Sequence, residues 1–206
     1  MAAPRGRIFS AALFLNVSGV IGCVSGQTKI RVFLLAVGSI ASGLALRLAE
    51  HPCGKGKTEG VHWTFPVFAR IPYLWLAIAG VMGVWAAFGD EHGGIWGASR
   101  HALTVGFAAT MVFAIGPQIL PHFRGIYRIF STRLMFVALL LLQMGCTLRV
   151  SSEPLAYEGI LPAAWNVLPI SGILELAGVL VFATNIVLTF AFGRSAFARD
   201  RALQPV

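Results

Sequence analysis

The sequence predicts an all-α fold: a polytopic transmembrane helical bundle of six spans with both termini cytoplasmic, forming one domain over residues 1–206. The first indication is the composition, because 57% of the 206 residues are hydrophobic and 12% are charged, while a soluble domain carries roughly 25% charged residues. The second is a set of six apolar stretches, each too long for a barrel strand and long enough to cross a bilayer as a helix. The third is the placement of cations around these stretches.

Lysine and arginine flank the apolar stretches unequally, as they do in membrane proteins with a fixed orientation. Six spans put twelve of the sixteen cations on the side of the termini and four on the other side. The larger group is Arg5, Arg7, Arg47, Lys55, Lys57, Arg70, Arg124, Arg128, Arg133, Arg194, Arg199 and Arg201, and the smaller is Lys29, Arg31, Arg100 and Arg149. This bias predicts cytoplasmic termini. It also explains the formal charge of +8 as a topology signal, so the expected surrounding is the lipid bilayer and no nucleic-acid partner is expected.

The first two spans are predicted at about residues 8–25 and 30–49. The first follows two arginines, as the apolar part of a signal peptide does, but it lacks a small-residue cleavage site, so we expect a retained helix. The second carries small residues four positions apart on one helix face, which permits close packing. The loop after it holds three residues that we expect to be solvated or interfacial, His51, Cys53 and His62.

The third and fourth spans are predicted at about residues 71–88 and 99–120. Pro72 falls in the first turn of the third span, where a missing N–H costs no hydrogen bond. Pro117 and Pro121 are expected to break the fourth span near its end, because proline cannot donate within a helix.

The fifth and sixth spans are predicted at about residues 129–148 and 172–192. The segment between them contains three prolines, Pro154, Pro162 and Pro169. Because each proline interrupts the apolar run, we expect this segment to lie irregularly in the headgroup layer.

The fourth span is the stretch with the clearest functional signal. It has His101 about one turn inside its start and His122 just after its last apolar residues. An ionisable residue inside a membrane span is a functional hypothesis by default. The two histidines are 21 residues apart, or about 31 Å along an ideal helix, so they lie at opposite membrane faces and cannot bind one iron together. Small residues between them, Gly106 among them, allow a neighbouring helix to approach closely.

Several side chains are predicted at the depth of His101: Met144, Cys146, Glu175 and Cys23. A haem b site could use His101 Nε2 with a second His or a Met as the axial ligands, and a copper site could combine His101 with sulfur ligands. Alternatively, Glu175 could accept a hydrogen bond from His101 and fix its tautomer, or pair with Arg149. A proton path is a further alternative for Glu175, the only acid inside a span. His92, nine residues before His101, is the reserve second ligand.

The run HALTVGFAATM, followed by ILPHFRG, resembles the C-terminal half of the NnrS family. The preceding IPYLWLAIAGVMGVWAAF is similar to the helix before that signature. The resemblance implies a polytopic protein of the bacterial inner membrane that binds haem b, with copper as a second cofactor, and has a role in redox chemistry or nitric oxide stress. The candidate cofactor ligands are then His101, His122 and Met144, and the candidate metal ligands are His101, His92 and Glu175. The His-rich motif of the family's N-terminal half has no counterpart in this sequence.

Two functions from different classes follow. One is an NnrS-like haem or copper protein, for which the residues indicate no turnover chemistry. The alternative is a structural accessory subunit of a larger membrane complex that carries no cofactor of its own. Both make other membrane subunits or a homodimer the expected partners. A small-solute transporter is a third hypothesis, with Asn16, Glu175 and Asn185 as the polar candidates for its path.

Overall fold

The computed structural model describes residues 5–22, 28–47, 65–124, 126 and 129–202; the side chains of residues 28, 65, 66, 118, 122, 124 and 193–202 are not described. Within these residues the regular structure is helical, without strands. The helices are α1 (Gly6–Ile21), α2 (Thr28–Ala45), α3 (Phe65–Phe68), α4 (Ile71–Gly89), α5 (the consecutive stretches Gly94–His101, Ala102–Ala109 and Thr110–Ile119), α6 (Thr132–Tyr157) and α7 (Val167–Ala202). Short 3₁₀ turns occupy Pro121–Arg124 and Pro162–Asn166.

Four helical segments are long and apolar enough to cross a bilayer: Ile71–Gly89, Gly94–Pro117, Thr132–Tyr157 and Pro162–Phe192. α1 is a shorter apolar helix. Many large apolar side chains on these helices are exposed, as expected where the solvent is lipid rather than water. The chain is therefore a helical membrane protein.

The long helices pack in chain order, with α1 on α2, α2 on α4, α4 on α5, α5 on α6 and α6 on α7. One end of this arrangement, called here the His92 end, contains the connections after α4 and after α6, where His92 bonds Glu158. The start of α2 lies there too, because the Lys29 ammonium sits 4.9 Å from the centre of the Phe88 ring. The opposite end, called the Ser131 end, contains the start of α6.

The observed helices differ from the predicted spans mainly in their bounds. α4 begins at the predicted residue and extends one residue further, while α5 begins five residues before its predicted span. α6 begins three residues late and continues nine residues past its predicted end, and α7 begins five residues early and runs on to Ala202. The predicted ends of the first two spans, at residues 25 and 49, lie outside the described residues.

Prolines interrupt less of the chain than the sequence predicted. Pro117 lies inside the last stretch of α5, and Pro154 lies inside α6, so neither ends its helix. Pro154 is held in place by packing, because Gly94 approaches its Cα and the neighbouring Glu153 carbonyl closely enough that a side chain at position 94 would clash. Pro169 falls in the first turn of α7, where an N–H has no helical partner to lose.

The middle of α5, Ala102–Ala109, is a π-helix that begins directly after His101. π-turns are rare and are often found at functional sites. Gly106 lies against the indole of Trp75, and a Cβ there would come within 2.5 Å of the ring. The predicted close approach at Gly106 is therefore present, and its partner is an aromatic ring on α4.

A chain of partly buried hydrogen bonds links α4, α6 and α5 beside this π-helix. The Trp75 Nε1–H donates to Gln143 Oε1 at 2.6 Å, and Gln143 Nε2 donates to Thr110 Oγ1 at 2.6 Å. The Thr110 hydroxyl in turn donates to the Val105 carbonyl at 3.2 Å. Because Trp75 and Thr110 are both buried, these bonds satisfy polar groups that neither lipid nor packing could satisfy.

Replacing Gln143 with Leu should destabilise the bundle by about 1–2 kcal/mol, since it leaves the Trp75 N–H and the Thr110 hydroxyl without their shared partner. The measurement is unfolding in mixed detergent and sodium dodecyl sulfate micelles, followed by circular dichroism. Thr147→Val is the matched control. The Thr147 side chain is exposed on the same helix, and its hydroxyl donates to the Gln143 backbone carbonyl one turn earlier, not to another helix. Equal stability of the two variants would contradict a bracing role for Gln143.

At the Ser131 end, Asn185 ties α7 to the start of α6. Its Oδ1 accepts from the Ser131 N–H at 3.1 Å and its Nδ2 donates to the Ser131 carbonyl at 3.0 Å. Asn185 is 1% exposed. Both ends of its amide are thus bonded to the Ser131 backbone, so Asn185 holds α7 against the start of α6.

Candidate functional site

His101 and Glu175 form a short hydrogen-bonded pair between α5 and α7. His101 Nε2 lies 2.6 Å from Glu175 Oε1, and the two side chains are 21% and 17% exposed. Both residues lie inside segments that are apolar enough to span a membrane. The pairing of these two residues, predicted from the sequence as one alternative, is therefore confirmed.

The sequence builds this pair through a close approach of α6 and α7. Gly145 on α6 lies directly against the base of Glu175, where a Cβ would come within 2.5 Å of Glu175 Cγ and 2.8 Å of the Ser171 carbonyl oxygen. Only a residue without a side chain lets α7 approach here. On the other side, His101 is the last residue of the first stretch of α5 before the π-helix begins.

Glu175 in its ionised form decides which nitrogen of His101 remains for other chemistry. An ionised carboxylate only accepts, so Nε2 then carries the proton of the shared hydrogen bond. In the neutral ring this leaves the lone pair on Nδ1, which bonds to no other described residue. Metal-binding histidines in proteins are commonly held in this way, with one ring nitrogen donating to a carboxylate.

His92 has a separate partner at the His92 end. Its Nδ1 lies 3.1 Å from Glu158 Oε2, and its side chain is 60% exposed. The hydrogen bond and the charge of Glu158 raise the pKa of His92 above its usual value. A histidine must be neutral to bind a metal, so protonation of His92 competes with metal binding at that residue.

Asp90 organises the loop that carries His92. Its two oxygens accept from the Gly93 and Trp96 N–H groups, each at 2.7 Å. Burial alone would raise the pKa of Asp90, but the bonds from Trp96 and Gly93 outweigh it and lower the pKa below its usual value. Asp90 is therefore a charged cap on the start of α5.

Two other predicted ligands, Met144 and Cys146, flank Gly145 on α6. Met144 is 47% exposed, while Cys146 is fully buried in an apolar cluster with Trp75 and Ala98. The backbone of His122 lies in the 3₁₀ turn after α5, but its side chain is not described. Four further predicted positions lie outside the described residues: Cys23, His51, Cys53 and His62.

Among the described residues, no group of three or more His, Cys, Asp and Glu side chains is arranged to hold a metal ion. His101, His92 and Glu175 thus do not form one three-residue group, because the two histidines bond different carboxylates. Metal binding by any of them stays a prediction. A metal at the pair would need further ligands from outside it.

Comparison with known families matches residues 7–191 of the chain to the model described as Domain of unknown function (DUF8744). The chain belongs to this family. No curated protein and no solved structure matches it. The matched range of the DUF8744 domain includes α4, α5, α6 and the part of α7 that carries Glu175. The His101–Glu175 pair therefore lies within the DUF8744 domain itself.

The polar chain of the DUF8744 domain was not predicted from the sequence. Neither Trp75 nor Gln143 is among the candidate residues named from the sequence. A signal was present, because Gln143 is the only side-chain amide in the predicted fifth span, and such a group inside a membrane needs a partner. Nothing comparable in the sequence indicates which helix would provide that partner.

Proposed function

We propose that this protein is a membrane metalloprotein of the kind implied by its resemblance to the NnrS family, with His101 as the ligand and Glu175 as the residue that positions it. We further propose that copper, rather than the iron of haem b, is its metal. The observation that carries both proposals is the 2.6 Å hydrogen bond between His101 Nε2 and Glu175.

The bond favours copper because it leaves Nδ1 as the available nitrogen. Nδ1 is adjacent to the ring carbon that bears the rest of the side chain, so a planar macrocycle approaching it would meet the protein's own backbone. A single ion has no such restriction, and imidazole nitrogen suits copper. Haem ligation through Nε2, expected from the sequence, would require the bond to Glu175 to break.

The ligand set would be completed by a residue outside the pair. Met144 is one candidate, since thioether sulfur suits Cu(I) and Met144 precedes Gly145, which touches Glu175. His101 of a second copy is another, because the pair is partly exposed on the bundle surface. Copper held here would supply one-electron redox chemistry or a binding position for a small ligand such as nitric oxide.

The number of membrane spans and their orientation are part of the same proposal. We infer six spans, with α1 and α2 as the first two, and both termini on the cytoplasmic side of the bacterial inner membrane. The unequal distribution of cations supports this orientation. In it, the His92 end and the metal site lie toward the periplasm.

A structural accessory subunit is the second candidate, and one observation favours it. Glu175 and His101 already satisfy each other, and a paired ionisable group inside a membrane can serve packing alone. In that case the pair would hold α5 and α7 together, and the protein would act through a partner complex.

The experiment is a cofactor analysis of the full-length protein, purified in a mild detergent. A reduced-minus-oxidised visible spectrum, a pyridine haemochrome assay and metal analysis after incubation with Cu(I) are made on one sample. We expect no b-type absorption band and copper at close to one per chain, or one per two chains if two copies share it. Haem at one per chain would show that the metal is the iron of haem b rather than copper. Folded protein that contains neither haem nor copper would favour the accessory subunit.

A further inference from the structure

A second site lies on the other side of α5, away from the His101–Glu175 pair. It is a half-open cavity of about 250 Å³ between α1, α2, α4 and α5. Its walls are mostly apolar, with Leu35, Leu76 and Leu103 among them. Pockets that enclose a whole small-molecule ligand are usually ~300–1,000 Å³, so this cavity fits the apolar part of a larger amphiphile better than a complete compact ligand.

Two arginines from different helices line this cavity: Arg31 in the first turn of α2 and Arg100 in the first stretch of α5. Both lie toward the His92 end. Trp96 lines the same region, and tryptophan is enriched at the level of lipid headgroups. The cavity therefore combines an apolar interior with a cationic rim near the membrane surface.

These two arginines differ from the other cations described at this end. Arg149 Nε donates to Glu153 Oε2 at 3.2 Å, and Lys29 lies over the ring of Phe88. Arg31 and Arg100 form no ion pair with any described residue. In the orientation proposed above, this end faces the periplasm, where cations are disfavoured. Two such arginines on one cavity therefore call for an anionic partner, and this step rests on the proposed orientation.

We propose that the cavity binds an anionic phospholipid of the surrounding leaflet, with its phosphate on Arg31 and Arg100 and part of an acyl chain between α2 and α4. Guanidinium groups match phosphate oxygens in charge and geometry. Asn16, Ser39 and Ser99 also line the cavity. The Asn16 amide donates to Ser42 Oγ, and the two serine hydroxyls donate to the backbone carbonyls of Leu35 and Ala79. The arginines are thus the charged groups left to recognise a headgroup. This proposal is independent of the metal site.

The test uses the full-length protein in detergent, with added lipids of identical acyl chains. Dioleoylphosphatidylglycerol should raise the melting temperature and remain bound in native mass spectrometry, while dioleoylphosphatidylcholine should do neither. In the variant Arg31→Gln/Arg100→Gln, the affinity for phosphatidylglycerol should fall about tenfold or more, as expected for loss of charge-assisted hydrogen bonds. Arg133→Gln is the matched control, because Arg133 is an exposed arginine at the Ser131 end.

A second variant tests the apolar part of the site without changing charge. Ser39→Leu adds volume to the cavity wall and removes only a hydrogen bond within α2, so it should weaken phosphatidylglycerol binding while both arginines remain. It also keeps the proposal testable if the double arginine variant does not fold. Equal effects of the two lipids on the wild-type protein would overturn the proposal. Stabilisation by sodium phosphate equal to that by phosphatidylglycerol would also overturn it, because the occupant would then be a free anion.

Discussion

Replacing Glu175 with Ala is expected to lower the Cu(I) affinity of the protein about 10–100-fold, the usual effect of removing the carboxylate that orients a metal-binding histidine. The physical reason is the 2.6 Å bond from His101 Nε2. Without it, the proton can move to Nδ1 and the ring can rotate, so the proposed ligand nitrogen is no longer fixed. Competition with a Cu(I) chelator measures the affinity directly.

Two further variants separate positioning from charge. Glu175→Gln retains an oxygen that accepts from Nε2, so it should lose less affinity than Glu175→Ala. Glu158→Ala is the matched control, since it breaks the other His–carboxylate pair, with His92, and should leave the affinity unchanged. If Glu175→Ala binds Cu(I) as tightly as the wild-type protein, Glu175 does not position the ligand.

Gly145→Val should strongly destabilise the packing of α6 on α7. The added Cβ would come within 2.8 Å of the Ser171 carbonyl oxygen and 3.1 Å of the Glu175 amide nitrogen. Both are backbone atoms and cannot move aside as a flexible side chain could. Overpacking of this kind costs about 1–3 kcal/mol or more, and separating α6 from α7 would also displace Glu175 from His101.

Unfolding in mixed micelles measures this effect, and Gly172→Val provides its control. Gly172 lies in α7 close to Ser171, and a Cβ there would meet nothing within 4 Å. We expect Gly145→Val to unfold at a lower fraction of sodium dodecyl sulfate, while Gly172→Val stays close to the wild-type protein. Similar behaviour of the two variants would show that α6 and α7 tolerate separation at this point.

The sequence predicts α4 almost to the residue because its length, its apolar character and Pro72 in its first turn are local properties. The predicted start of α5 is five residues late, because the true start depends on packing rather than on a local property. Gly94 and Gly97 resemble loop residues, yet they allow α5 to pack on Tyr157 and Glu153 of α6. Such packing depends on a helix that is distant in the sequence, so a local sequence pattern does not predict it.

The candidate site likewise has parts that the sequence predicts and parts that it does not. Glu175 and His101 could be paired from the sequence because each is an ionisable group in an apolar span and topology puts them at similar depth. The bond from Trp75 to Gln143 could not, because it depends on how α4 and α6 are rotated relative to each other. The π-helix after His101 also has no sequence period that distinguishes it from an α-helix of the same composition.

The most direct test of the metal site is the copper content of His101→Ala, purified beside the wild-type protein and His92→Ala after identical exposure to Cu(I). His92 is the comparison because it also pairs with a glutamate but lies in an exposed loop. The proposed site predicts that His101→Ala loses its copper while it remains folded by circular dichroism, and that His92→Ala retains copper at the wild-type ratio. Copper at the wild-type ratio in His101→Ala would contradict the assignment of His101 as the ligand.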